Sequence, residues 1–151
     1  MWQRKQTVFL LCALVFTILC LCLPLLSIEP KGMGVSSVLY NLFLKDGDGK
    51  MIYGKVLLFV FLLITVPIAI AAILLFKNRK RQIMLCQWCI ILNLAWYVYL
   101  AFCFINEFMV AGTPHLNVSV AFPFISIIFY ILAIRGIRAD EKLIRAADRI
   151  R

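Results

Sequence analysis

Charge is scarce in this sequence. Only 15% of its 151 residues are Asp, Glu, Lys or Arg, against roughly 25% in soluble globular domains. Acids are scarcer still, seven in all, and none lies inside a long apolar run, so the embedded carboxylate that relays protons in coupled transport is missing. A single histidine, His115, leaves no convergent set of ligands for a metal or for catalysis. No cysteine sits in the middle of a polar loop: Cys12, Cys20, Cys22, Cys86, Cys89 and Cys103 all fall within or at the ends of apolar segments, which excludes a secreted disulfide framework. Arg4 and Lys5 precede an apolar run, but that run exceeds a signal-peptide core, and Ser27-Ile-Glu-Pro30 has no small-x-small cleavage pattern. It reads as a retained span.

What is present is apolar: 64% hydrophobic residues and a mean hydropathy of +0.99. About 20 apolar residues cross a ~30 Å hydrocarbon core, and four runs qualify or nearly so: Thr7 to Ile28, Val56 to Phe76, Ile83 to Ile105 and the shorter Val118 to Ile134. At this length the four spans nearly exhaust the chain, leaving a single membrane domain over residues 1–151 with no room for a separate soluble catalytic unit. Twelve of the sixteen Lys and Arg, including Arg4, Lys5, Lys77, Arg79 to Arg81 and all those from Arg135 onward, fall on one side of these runs. The positive-inside rule makes that side cytoplasmic. On the other side Glu29, Asp46, Asp48 and Glu107 balance Lys31, Lys45, Lys50 and Lys55, so the net +9 lies inside. The expected fold is an all-α membrane protein, a four-helix transmembrane bundle with both termini cytoplasmic. Clustering of the basic residues beside apolar runs favours anionic lipid headgroups as partners and disfavours nucleic acid.

The connection Lys77-Asn-Arg-Lys-Arg-Gln82 can only turn the chain back, making spans 2 and 3 antiparallel neighbours. The one sizeable outer segment places Leu42-Phe43-Leu44 and Met51-Ile52-Tyr53 around Lys45-Asp-Gly-Asp-Gly-Lys50. It reads either as a small β-hairpin, with Gly47 and Gly49 able to take positive φ, or as a flexible loop. Asp46 and Asp48 begin like an EF-hand, but no register supplies both its glycine and its bidentate acid. Pro24, Pro67 and Pro123 lie in or at the end of spans; each removes a helical donor, which neighbouring helices tolerate in lipid.

Span 3 is the most informative helix. Cys86, Cys89, Asn93, Trp96, Leu100, Cys103 and Glu107 recur at steps of three and four and share one face. Small and polar side chains make helix contacts in lipid, so this face is expected to line the bundle interior; a polar pathway from Asn93 to Glu107 is the functional alternative. Span 2 offers Thr65, Ala69 and Ala72 as a small-residue face. Cys86-Gln-Trp-Cys89 has the spacing of a redox motif and resembles that of quinone-linked disulfide-generating membrane enzymes. It lies near the cytoplasmic surface, however, and no outer loop carries a cysteine pair to match. Cys20 and Cys22 point about 200° apart on a helix and would not pair unless Pro24 distorts that end of the span. Asn117-Val-Ser119 matches a glycosylation acceptor that matters only in a eukaryotic secretory route.

After span 4, Arg138, Lys142, Arg145 and Arg149 form a narrow basic stripe opposite Ile137, Leu143, Ile144, Ala147 and Ile150. This predicts a cytoplasmic amphipathic helix lying along the inner leaflet, or docking on a partner. The opening Trp2-Gln-Arg-Lys-Gln-Thr7 and the closing Arg138-Ala-Asp-Glu-Lys-Leu-Ile-Arg-Ala-Ala-Asp-Arg-Ile-Arg151 resemble domain of unknown function 4293, an uncharacterised four-span inner-membrane family of Bacteroidetes. The resemblance implies a bacterial cytoplasmic-membrane location and brings no activity, cofactor or catalytic residue with it. The residues themselves point to a non-enzymatic accessory or structural subunit without a cofactor, with membrane-protein partners or further copies of the chain. The alternatives are a small oligomeric transporter or channel, and a thiol oxidoreductase using Cys86 and Cys89.

Overall fold

The computed structural model describes residues 5–30, 34–76, 78–109 and 112–148. The first helix, α1, runs from Lys5 to Cys22. It ends ahead of Pro24, which has no amide hydrogen to continue the ladder. The amide of Leu25 turns away to the carbonyl of Leu39 (2.7 Å), and Leu26–Pro30 becomes strand β1. The apolar run expected as one span from Thr7 to Ile28 is therefore a shorter helix followed by a strand.

That strand belongs to a five-stranded sheet that apolar periodicity did not show. After β1 come β2 (Ser37–Leu39), β3 (Leu44–Lys45) and β4 (Met51–Ile52), and β5 (Gly112–Leu116) follows much later. The order is β4-β3-β2-β1-β5, antiparallel throughout. Pairing of β1 with β5, Leu26 opposite Leu116 and Pro30 opposite Gly112, joins the two long connections at one end of the molecule. Alternation along β1 buries Leu26 and Ile28 and turns Glu29 outward, where its carboxylate lies 3.6 Å from His115.

The expected hairpin is present with shorter strands, Leu44 opposite Ile52. Asp46 N–H donates to Lys50 O and Gly49 N–H to Asp46 O, with Gly49 at φ 81°, a three-residue hairpin loop closed by a residue in the left-handed region. Gly47 serves otherwise. A Cβ there would lie 2.6 Å from the Val35 carbonyl oxygen, so it is close approach and not positive φ that requires glycine.

The remaining helices are α2 (Val56–Leu74), α3 (Arg79–Cys103) and α4 (Phe122–Asp148). With the turns that flank them, these three are long and apolar enough to cross a membrane, and α1 is a shorter apolar helix. Packing of α1 on α4, α2 on α3, α1 on α2 and α3 on α4 closes a ring of four. Away from the ring the helices expose Val15, Leu63, Ile91, Val98, Phe102 and Ile128, large apolar side chains that water would not tolerate together. The sheet sits at one end; the start of α1, the start of α3 and the end of α4 belong to the other.

Arg79 to Gln82, expected in that turn, already belong to α3, and the reversal is confined to the few residues before Arg79. At the far end of α3 a π-helical turn, Phe104–Phe108, carries the chain toward β5. The fourth apolar run opens as a 3₁₀ turn, Val118–Ala121, and then continues as α4 without interruption to Asp148. Pro123 stands in the first turn of α4, where a missing N–H costs nothing, and the Tyr97 hydroxyl accepts the Phe124 N–H at 3.0 Å. The basic tail is thus the last part of one long helix and not a separate surface helix. Ile137 is buried in the bundle, Gly136 lies against Gln6 of α1, and Gln6 Nε2 donates to Asp140.

Candidate functional site

Two apolar clusters fill the interior. The one at the sheet end contains Cys20, Leu58, Leu62, Trp96 and Leu100; the one at the far end contains Leu10, Ala13, Ala69, Ala72, Cys86 and Ala133. Between them each helix contributes one polar residue: Thr17 from α1, Thr65 from α2, Asn93 from α3 and Ser126 from α4, all fully buried. This polar layer is the most distinctive chemical feature of the interior.

The hydroxyls are mostly satisfied by backbone. Thr17 and Ser126 both donate to Ala13 O, at 2.9 and 3.1 Å, and their own oxygens lie 3.4 Å apart. Thr65 donates to Phe61 O at 2.8 Å. The Thr17 and Thr65 bonds reach back one turn of their own helix, which lets a hydroxyl sit in an apolar bundle at small cost, whereas the Ser126 bond crosses from α4 to α1. Asn93 donates through Nδ2 to Cys89 O at 2.8 Å, but its Oδ1 has no partner. One turn along α4, the fully buried Tyr130 has its hydroxyl beside Thr17 and Cys89. The layer is neutral. It can hold a hydrogen-bonding group, but it offers no charge to a substrate.

At the sheet end the interior is stoppered. The chain after β2 folds inward so that Asn41, fully buried, donates through Nδ2 to Cys20 O at 2.6 Å and accepts Trp96 Nε1–H through Oδ1 at 3.0 Å. Cys20 O belongs to the last turn of α1, where carbonyls lack helical donors, so one amide satisfies a helix end and a buried indole together. Leu25, Leu26 and Leu39 pack around it. Sequence reading missed Asn41 because it lies in an apparently ordinary outer segment. Thr17 and Ser126 were at least visible as lone hydroxyls within apolar runs.

Of the residues expected on the span 3 face, Cys86, Cys89, Asn93, Trp96, Leu100 and Cys103 are buried, joined by Gln82. Glu107 departs from them: its side chain is 49% exposed and pairs with Lys55, at the start of α2. The π turn is the reason. Its extra residue delays the next interior position from Glu107 to Phe108, which is 3% exposed. Asn93 and Glu107 therefore do not line one continuous path.

Cys86 and Cys89 are free and fully buried. Cys20 is buried while Cys22 is exposed, so they point apart. On α4, Arg138 and Lys142 are exposed; Arg145 lies in the helix, and Arg149 lies outside the described residues. Among the described residues no three His, Cys, Asp or Glu are placed to share a metal ion.

The chain matches the family described as domain of unknown function (DUF4293) over residues 2–150, almost its whole length, and belongs to that family. No curated protein matches it.

Proposed function

We propose that this member of a family without an assigned activity is a four-span protein of the bacterial cytoplasmic membrane. Both termini are then cytoplasmic and the sheet lies outside. Its role is that of a non-enzymatic subunit of a larger membrane assembly. Membrane insertion is supported by the apolar outer surfaces of the helices and by the basic residues gathered at the end opposite the sheet. α1 spans roughly 27 Å at 1.5 Å per residue, close to the hydrocarbon thickness, and Trp2 and Arg4 precede it in the sequence.

The observation that carries the subunit reading is the Asn41 stopper. A transporter or channel through the bundle would need a path to the outer side. Here that path is filled by a hydrogen-bonded plug, and the Asn93 to Glu107 stripe is broken by the π turn. Thiol exchange would need an accessible sulfur, and both members of the Cys86/Cys89 motif are sealed in the core. What remains outward are the sheet, the lipid-facing helices and the basic end, with Arg138 and Lys142 toward anionic headgroups or a cytoplasmic partner.

Purification from native membranes in mild detergent tests this. A stoichiometric membrane-protein partner is expected; a protein that always elutes alone and unchanged in size contradicts it. Flux in proteoliposomes identical for the wild type, Asn93→Ala and Glu107→Ala is expected as well.

A further inference from the structure

We propose that the sheet is seated in the lipid headgroup layer by an apolar row that crosses it, whose two ends, Ile52 and Leu116, insert into the bilayer interface. The proposal rests on the membrane-spanning reading of the helices, and it holds whichever side of the membrane the sheet occupies. Cross-strand register defines the row. Leu116 lies opposite Leu26, Leu26 opposite Leu39, Leu39 opposite Leu44 and Leu44 opposite Ile52. Directly opposed residues project from the same face of a sheet, so each strand contributes one leucine or isoleucine to a continuous apolar line.

This row lies at the strand ends nearest the helices. Leu26 opens β1 soon after α1 ends at Cys22, Ile52 closes β4 shortly before α2 begins at Val56, and Leu116 closes β5 ahead of the turn at Val118 that leads into α4. Leu39 and Leu44 flank the segment that carries Asn41 into the bundle. The helices cover the middle of the row, where Leu26 and Leu39 are 0% exposed, but its ends overhang them: Ile52 is 50% and Leu116 60% exposed.

The surroundings of the two ends say what covers them. From Ile52, exposed apolar side chains continue through Tyr53 and Val56 to Leu57 of α2; from Leu116 they continue through Val118 to Phe124 of α4. Both ends thus join the helix surfaces that face lipid. Tyr40, Phe43 and Tyr53 each adjoin a row residue on its helix side, and their rings pack together with centroids 4.9 and 6.1 Å apart. Tyrosine is enriched where hydrocarbon meets water. The charges of the sheet and its hairpin, Glu29, Lys45, Asp46, Asp48 and Lys50, stand farther along the strands from α1, α2 and α4, and Lys55, on the helix side, is paired with Glu107. Apolar residues toward the helices, aromatic rings beside them and charge farther out match the polarity gradient of a bilayer surface. Burial of the row ends at the headgroup boundary follows the logic of interfacial amphipathic helices, and it fixes the depth of the bundle in the membrane.

A depth measurement tests this in vesicles of phosphatidylethanolamine and phosphatidylglycerol containing no other protein. Cys12 and Cys22, which are not buried, are first changed to serine. Single variants Ile52→Cys and Leu116→Cys are then labelled with an environment-sensitive fluorophore. Asp48→Cys and Thr113→Cys, exposed positions farther out in the same two connections, serve as references, with Leu63→Cys on the exposed side of α2 as the membrane control. Labels at 52 and 116 are expected to emit at shorter wavelength than those at 48 and 113, to be quenched by lipids with a shallow nitroxide, and to be quenched several-fold less by iodide. Iodide quenching at 52 and 116 equal to that at 48 and 113, with the label at 63 quenched by lipid nitroxide, overturns the proposal and leaves the membrane-spanning reading standing. Absence of nitroxide quenching at 63 overturns both. Shielding of 52 and 116 from iodide without nitroxide quenching means that another copy of the chain covers the row, and it also overturns the proposal.

Discussion

At the scale of single residues, the molecule depends on polar side chains that apolar periodicity gives no reason to notice. Asn41 is the clearest case. Replacing it with leucine keeps the volume but strips the Trp96 N–H and the Cys20 carbonyl of their partner. The expected loss is about 1–3 kcal/mol, read as a lower melting temperature in detergent. A leucine variant as stable as the parent would show that the plug is held by packing alone. Asp46 acts at the hairpin instead. The Ser37 hydroxyl and the Gly47 N–H both donate to its carboxylate, with Lys50 nearby, and they hold its pKa below the ordinary aspartate value. Because the folded value is the depressed one, its contribution is present above the unfolded pKa and disappears as pH falls through the folded pKa. A titration of the Gly47 amide signal should therefore have its midpoint below that of an unperturbed aspartate. Asp46→Asn should abolish it, and a midpoint at or above the ordinary value contradicts the account.

At the scale of elements, the helices were legible and the sheet mostly was not. Long apolar runs announce α2 and α3 directly, and Cys86, Cys89, Asn93, Trp96 and Cys103, spaced by three and four, are buried. Strands of two to five residues leave no comparable signature. β1 is hidden inside the apolar run it shares with α1, and β5 contains Pro114 and pairs far across the sequence. Only the Gly-containing hairpin turn was local enough to be read. Glu107 failed for a different reason: a helical wheel assumes α geometry, and the π turn inserts one residue. That explanation predicts a specific tolerance. Deleting Ile105 should convert the turn to α-helix, place Phe108 four residues after Cys103 and leave a folded protein. Deleting Leu94, where no extra residue exists, should put Trp96, Leu100 and Cys103 out of register and prevent folding. Expression and monodispersity of the two deletions compare them; equal loss in both would rule out the bulge as a simple insertion.

At the scale of the whole molecule, the ring of four helices and the sheet form one closed object. The sheet ties the α1–α2 and α3–α4 connections together through β1 and β5, and Asn41 fastens that cap to the interior. Composition pointed to lipid as the solvent, and helices long and apolar enough to cross a membrane, with many exposed large apolar side chains, are compatible with that. It could not show that α4 carries straight through into the basic tail, because the change from apolar to charged residues looks like an element boundary although the backbone does not break there. The proposed role as an assembly subunit rests on a filled interior with its remaining chemistry on the outside, and it depends first on the proposed orientation in a membrane.

That arrangement has one direct measurement: paired alkaline phosphatase and green fluorescent protein fusions after Lys50, in the hairpin, and after Arg151. Four spans with the sheet outside predict phosphatase activity without fluorescence at Lys50, and fluorescence without phosphatase activity at Arg151. The same reporter active at both positions, or the reverse pattern, would contradict the account.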